Sequence, residues 1–350
     1  MRDRTKIFII VSIIITAFAV GAAAAQQLDS ATISSGGALD LTDGTIHLQD
    51  IKGQSAAGVV TDGTTTVEIG GLYTELTEEV IIIPDTGIVK DTVIFRAANE
   101  IKLSWDKGTA AAVDIWSISG PGVEFSKTVA WTKILANFAG AEFPDPNVKV
   151  GDGKNAFYRV VPVNTAPADI HDPALNSKTV GKVDVNFLAG YTLFEVPLWT
   201  NDMTISTVIG TQLDNNPKGD ELYDYNLSKS TFAGGVWVGN PLSFQKGRGY
   251  YMRIINTPKY LTFVGAVDLA NVNLRLNTGY SMTGNPFPII KDVPDAFKNA
   301  ASGDELYDKL ARKKTNTAQG WVGANYQFGL GDGFWFRRVS NNAYDWALQP

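Results

Sequence analysis

The chain contains no cysteine. Disulfides, thiolate zinc sites, cysteine nucleophiles and lipid anchoring through a cysteine are therefore excluded. Stability must come from a packed interior, which 350 residues with 44% apolar content can build. Histidine is nearly missing. His47 and His171 lie in separate regions, so the chain offers no histidine pair for a metal and no Ser-His-Asp set in a recognisable order. HExxH, GxSxG and Walker sequences are also absent. No catalytic residue, metal ligand or cofactor is assigned, and the expectation is a protein that is not an enzyme. Charged residues make up 19%, a little below the usual share, which argues for compact β structure with Thr, Asn, Ser and Gly at its surface.

Long apolar runs are scarce too, with one at the start. Arg2, Arg4 and Lys6 precede an uncharged apolar stretch at 7–25, and Ala23-Ala24-Ala25 fits a small-x-small cleavage pattern before Gln26. Residues 1–25 read as a signal peptide. The expected location is secreted, extracellular or at the cell surface, with the periplasm as the alternative. The apolar stretch is also long enough to span a bilayer, so an uncleaved anchor is the competing reading. No membrane span is expected after cleavage. Without residues 1–25 the chain holds 27 basic and 35 acidic side chains, a net charge of −8. Such a chain is a poor general binder of nucleic acid or anionic lipid.

What the chain has in quantity is repetition. Gly219-Asp220-Glu221-Leu222-Tyr223-Asp224 returns 84 residues later as Gly303-Asp304-Glu305-Leu306-Tyr307-Asp308. Trp237 returns as Trp321, Gly247 as Gly331, Gly249 as Gly333 and Arg253 as Arg337, all at the shift of 84. Earlier, Gly190-Tyr191 returns as Gly279-Tyr280 at a shift of 89, and each of those strands runs to a proline, Pro197 or Pro286. The five-residue difference falls in a segment able to hold one short helix, at 205–213 in the first copy and 293–300 in the second. A duplicated β unit buries surface against its twin and builds length. Expected boundaries are 1–25 (signal), 26–91 (β segment and connector), 92–180 (sandwich), 181–267 (first repeat) and 268–350 (second repeat), with a hinge at 179–183.

Two resemblances follow from the motifs. IKLSWD at 101–106, AVDIWS at 112–117 and FYRVVPVN at 157–164 resemble a fibronectin type III domain, which implies a β-sandwich and a tyrosine, here Tyr158, whose hydroxyl caps a corner. The segment 131–146 departs from that pattern and reads as a helical turn or long loop. The order "G-Y-x-L…P…GDELY…W…GxGYY" resembles a β module found in tandem at the C-termini of secreted bacterial and archaeal proteins, of approximate pattern "GWNLVSLP…GKGYWV". That likeness implies no activity. Residues 33–73 resemble a β segment found after the signal peptide of secreted bacterial proteins. Thr45 to Ile51 and Thr65 to Leu72 read as its strands, and Gly36-Gly37, Asp43-Gly44 and Asp62-Gly63 as its turns.

The fold class is therefore all-β: a sandwich plus two tandem β modules with short helices at most. The Gly-x-Gly pairs precede aromatic, alternating residues and not a helix, so they read as tight turns needing positive φ. In Tyr250 to Arg253, Tyr250 and Met252 share one face and Tyr251 and Arg253 the other. Asp220-Glu221 and Asp304-Glu305 cannot face one cleft, because strand neighbours point opposite ways; they read as turn, cap or salt-bridge groups. Asp214-Asn215-Asn216 offers oxygen ligands for calcium, but the second copy lacks it. Lys309, Arg312, Lys313 and Lys314 read as a solvated run. Two partner classes remain: other copies of the chain, joined by strand addition through residues 30–72, or cell-surface and matrix polymers. Contact with either class through the repeated faces makes a non-enzymatic structural or adhesion protein, the leading reading. The second includes a polysaccharide binder using Trp237, Tyr251, Arg253, Trp321, Trp335 and Arg337, since aromatic faces stack on sugar rings.

Overall fold

The computed structural model describes the strand residues 31–33, 37–42, 45–49, 56–61, 64–69 and 80–81, and residues 89–172, 175, 177–214 and 219–350. The proposed signal peptide, residue 36 of the expected turn at 36–37, the expected turns at 43–44 and 62–63, and Asn215 and Asn216 lie outside the described residues, while Gly37 opens a strand. The architecture is all-β, with two one-turn helices among the described residues. No helix among the described residues is long and apolar enough to cross a membrane. The chain divides into two compact units, Met1–Asp85 and Thr86–Pro350. Among the described residues the first contains six strands, β1 (Ala31–Ile33), β2 (Gly37–Thr42), β3 (Thr45–Gln49), β4 (Ala56–Thr61), β5 (Thr64–Ile69) and β6 (Val80–Ile81). They pair in chain order as an antiparallel meander.

The second unit opens with a sandwich. One sheet has the order β11 (Glu142–Lys149), β8 (Glu100–Asp106), β7 (Lys90–Ala97). The other has the order β10 (Thr132–Phe138), β9 (Val113–Pro121), β12 (Lys154–Pro162), β13 (Val180–Phe187), β19 (Lys259–Ala266). Ile101, Leu103 and Trp105 point inward from β8 at period two and meet Val113, Ile115, Tyr158 and Val160. Tyr158 sits within β12, not at its start. Its buried hydroxyl donates to Asp145 Oδ2 on β11 at 2.8 Å, and burial followed by the neighbouring carboxylate raises its pKa.

Two expectations are corrected here. Segment 131–146 is neither helical nor a long loop, because it supplies β10 and most of β11. Both are edge strands, where Pro144 and Pro146 cost no interior ladder bond and the half-exposed sequence shows no clean alternation. The stretch 179–183 is not a hinge. Val180, Gly181 and Lys182 pair with β12 on one side and with β19 on the other. The position 180 at which the sandwich was expected to end thus lies inside a central strand.

The sheet containing β12 and β13 is covered on both faces. Phe157, Val161, Val183, Val185, Leu261 and Phe263 leave the sandwich side and join a second core under the first module. That burial on both sides is why FYRVV reads as a continuous apolar run. The first module adds a sheet of order β14 (Gly190–Phe194), β18 (Tyr250–Ile254), β15 (Asp220–Tyr223), β16 (Lys229–Ala233), β17 (Val236–Gly239), with helix α1 (Ile205–Val208). The second repeats it as β21 (Gly279–Gly284), β27 (Gly333–Arg338), β23 (Glu305–Tyr307), β24 (Lys313–Thr317), β25 (Gly320–Gly323), with helix α2 (Val293–Ala296) after β22 (Lys291–Asp292). Strand β22 pairs with β26 (Gln327–Phe328). Each module also owns a two-strand ribbon, β13–β19 in the first and β20 (Val272–Leu276) with β28 (Tyr344–Leu348) in the second. Val183 opposite Phe263 matches Val272 opposite Leu348. The last strand is therefore displaced by 85, not 84, so buried Tyr344 answers Lys259 and not the exposed Tyr260.

Where sandwich and first module meet, Lys182 is fully buried. Its Nζ donates to Asp152 Oδ1 at 2.5 Å, Asp184 Oδ2 at 2.8 Å and the Lys154 carbonyl at 2.6 Å. Thr262 Oγ1 on β19 donates to Asp184 Oδ1 at 2.6 Å and accepts from Gly151 N at 2.8 Å. Burial raises the Asp184 carboxyl; Asp152 feels burial too but is held below its ordinary range by the bonds from Lys182 and from the Lys149 and Lys154 amides. Removing one partner of such a set leaves buried charge uncompensated. Lys182→Ala is expected to lower unfolding stability by about 3–5 kcal/mol, read as a fall in the urea midpoint.

Candidate functional site

The two modules meet about a local two-fold axis, and the Gly-x-Gly ribbons make the contact. Gly247 and Gly331 adopt φ of 81° and 74°, as the turn expectation required. Gly249 and Gly333 do not have positive φ; what they need is the absence of a Cβ. A Cβ at Gly333 would lie 2.6 Å from Phe194 N, and one at Gly249 would lie 2.6 Å from the Thr283 carbonyl oxygen. Phe194 bridges Asp332 and Arg248 bridges Thr283, matching positions in the two copies. Glu195 N donates to the Gly331 carbonyl at 3.0 Å, and Gly284 N donates to the Gly247 carbonyl at 3.3 Å.

The packing brings Tyr251 against Trp335, which occupy the same position in the repeat. The indole Nε1 donates to the Tyr251 hydroxyl at 2.7 Å, with ring centroids 6.1 Å apart. From this pair the rings continue outward. Tyr191 lies 6.1 Å from Tyr251 and 6.0 Å from Tyr223; Tyr280 lies 6.0 Å from Trp335 and 6.1 Å from Tyr307. Six aromatic rings thus form one unbroken stripe across the outer faces of both sheets. Tyr191 and Tyr280 are its most open members, 57% and 60% exposed.

Strand parity explains the division of side chains. Tyr250, Met252 and Ile254 point into the core while Tyr251 and Arg253 point out; Phe334 and Phe336 point in while Trp335 and Arg337 point out. Asp220 and Glu221 split the same way. Asp220 Oδ1 accepts from Ile255 N at 2.9 Å and Asp304 Oδ1 from Val339 N at 3.0 Å, so the two inward acids tie matching loops. The outward acids join the stripe. Glu221 accepts from Arg253 Nη1 at 2.9 Å, Lys229 Nζ at 3.1 Å and the Tyr223 hydroxyl at 2.9 Å. Glu305 accepts from Arg337 Nη1 at 2.8 Å, Lys313 Nζ at 3.1 Å and the Tyr307 hydroxyl at 2.7 Å. Arg337 and Tyr307 hold the Glu305 carboxyl down to about 2. Glu221 is partly desolvated, which opposes ionisation, yet the bonds from Arg253, Lys229 and Tyr223 bring it below its ordinary range. Arg253 lies over the Tyr191 ring at 5.7 Å and Arg337 over Tyr280 at 5.6 Å.

Of the residues singled out in the sequence, four meet here: Tyr251, Arg253, Trp335 and Arg337. Trp237 and Trp321 do not. Trp237 turns to the opposite face, where it packs on Phe232 and donates from Nε1 to the Gly210 carbonyl at 3.2 Å; Trp321 packs on Phe297. Tyr191, Tyr223, Tyr280 and Tyr307 were missed as site residues. Their signal was present: each recurs at its module's shift, and each alternates with an inward residue. Lys309 pairs with Asp332, Arg312 with Asp308 and Lys313 with Glu305, which accounts for most of the basic run as local ion pairs. Asp214 pairs with Lys259 at 2.7 Å. Among the described residues no group of His, Asp and Glu is gathered for a metal.

The sequence matches no family model, and no curated protein matches it.

Two outcomes follow from the axis. Gly333→Ala places a methyl against the Phe194 backbone and is expected to cost about 1–3 kcal/mol, as overpacking does. A shift of tryptophan emission should accompany the fall in Tm as Trp335 leaves Tyr251. The second concerns Glu195, whose side chain is fully buried at the axis. Its Oε1 accepts from Gly247 N at 2.9 Å, while Oε2 has no hydrogen-bond partner among the described residues. Burial raises its pKa well above the ordinary 4.5. The folded state holds that proton more tightly than the unfolded chain, so the stabilisation is complete below 4.5 and is lost as pH climbs through the raised value. Between about pH 5 and about pH 8 the Tm of Glu195→Gln should fall less than that of the parent.

Proposed function

We propose that the chain is a secreted, non-enzymatic adhesion or binding protein of the cell surface or extracellular matrix, and that it makes contact through the six-ring stripe. One observation carries this reading: equivalent residues of the two modules, Tyr251 and Trp335, join across the local axis so that two outward aromatic patches become one. A stripe of half-exposed aromatics beside arginines is the composition of a contact surface. Its carboxylates are held ionised by two cations each, which suits anchoring of those cations and not proton transfer. Duplication doubles the contacts one polymer or surface can make and raises avidity without a deep pocket. On this reading the sandwich is a fibronectin type III-like spacer. Support comes from a three-stranded sheet, β7, β8 and β11, packed on the sheet of β10, β9, β12, β13 and β19. The modules are then members of the tandem "GWNLVSLP…GKGYWV"-like group.

Tyr191→Ala with Tyr280→Ala removes the two most exposed rings and no buried side chain. The double variant should keep its Tm within about 2 °C, since open surface positions contribute little to stability. Its retention on cell-envelope fractions and on polysaccharide affinity gels should drop at least ~10-fold, the loss of about 1.4 kcal/mol of contact free energy. Unchanged retention by the double variant would show that contact lies elsewhere.

A further inference from the structure

The stripe has a charge of its own. In each module two cations, Lys229 with Arg253 or Lys313 with Arg337, share one carboxylate, so each half is left with one surplus positive charge. This stands out on a chain whose net charge is −6. The guanidinium groups also have hydrogen-bonding capacity to spare. Among the described residues each donates only from Nη1, to its glutamate, and both are roughly two-fifths exposed at 41% and 42%. An arginine fork with free donors, set beside an aromatic ring, matches a planar carboxylate carried on an apolar-faced ring.

The layout selects among acidic partners. Lys229, Tyr223 and Tyr251 lie on adjacent strands β16, β15 and β18, and Lys313, Tyr307 and Trp335 lie on the matching strands β24, β23 and β27, the two rows meeting where Trp335 touches Tyr251. The same acid-binding group thus occurs twice, once on each side of the Tyr251–Trp335 contact. A polymer with a repeating acidic sugar presents the same groups to both halves, and ring stacking tolerates either chain direction. A second copy of this chain would bring a surplus positive face onto a surplus positive face. We infer that the stripe is a two-subsite binding surface for an acidic polysaccharide of uronate type, with Arg253 and Arg337 each taking one carboxylate and the Tyr and Trp rings carrying the sugar faces. This rests on the stripe being the contact surface proposed above, and it adds the chemical class of the ligand.

The test is affinity electrophoresis and titration calorimetry of the full chain with three probes: polygalacturonate, a neutral galactan and single-stranded poly-dT. Polygalacturonate should bind most tightly, and its binding should weaken with salt. Arg253→Gln and Arg337→Gln should each weaken it at least ~10-fold, because either one breaks two-site avidity. Oligogalacturonates too short to reach both modules should bind the parent no better than long chains bind either single variant. Equal or tighter binding of the galactan overturns the acidic assignment, tighter binding of poly-dT makes the surface a nucleic-acid site instead, and identical affinity in both arginine variants and the parent removes the arginines from it. If polygalacturonate fails to bind while the Tyr191→Ala, Tyr280→Ala variant still loses retention on envelope fractions, the contact surface stands and the ligand class falls. If that variant keeps retention, both fall.

Discussion

Two backbones come into direct contact where Gly333 passes Phe194 and where Gly249 passes Thr283. Any side chain at either glycine would hold the modules apart. Because both contacts exist, the end of edge strand β14 lies against the start of β27 and the end of edge strand β21 against the residues that lead into β18, and Tyr251 reaches the indole of Trp335. The continuity of the outer stripe depends on that approach, as does the burial of Glu195 beside Gly247. The constraint is steric. Hydrogen bonds from Glu195 and Gly284 amides to the facing ribbon carbonyls then fix the register.

Joining the sandwich to the first module relies on a different device. Strand β13 belongs to both, pairing with β12 and with β19, and the Lys182–Asp152–Asp184–Thr262 network locks the joint. The second module shares no strand with a neighbour among the described residues, and its ribbon β20–β28 stands as two strands. One sequence pattern therefore sits in two settings. In the first, Gln212 bonds both the N–H and the carbonyl of Thr262, and Arg96 reaches the same carbonyl from the sandwich. In the second, the matching Ala347 is exposed. The one-residue difference in the last strand's displacement reflects this: the loop after β27 is longer by one residue than the loop after β18, so residues that align by letter do not align by side.

Much of the fold was readable in the residues. Alternation in IKLSWD and in GYYMRI placed the right side chains inward, and the short helices fall within the segments expected to hold them. The duplicated acids split between faces as strand geometry demands. The failures have physical causes. Prolines at 144 and 146 disguised β11 because an edge strand tolerates what a central one does not. The hinge at 179–183 was misplaced because a strand shared by two domains carries no compositional boundary. Trp237 and Trp321 were grouped with Tyr251 and Trp335 by residue type, although they turn to the opposite face of the sheet.

Residue order settles most of the strands, that nearly half of the chain, from about 181 to 350, is one unit written twice, and which side of its own strand each residue takes, since alternation is a property of the extended backbone. It does not settle which outward sides meet. Tyr191, Tyr251, Trp335 and Tyr280 are far apart in the chain, and nothing local links them. They become one surface because two glycines let backbones touch, and that closeness is a property of the packed molecule.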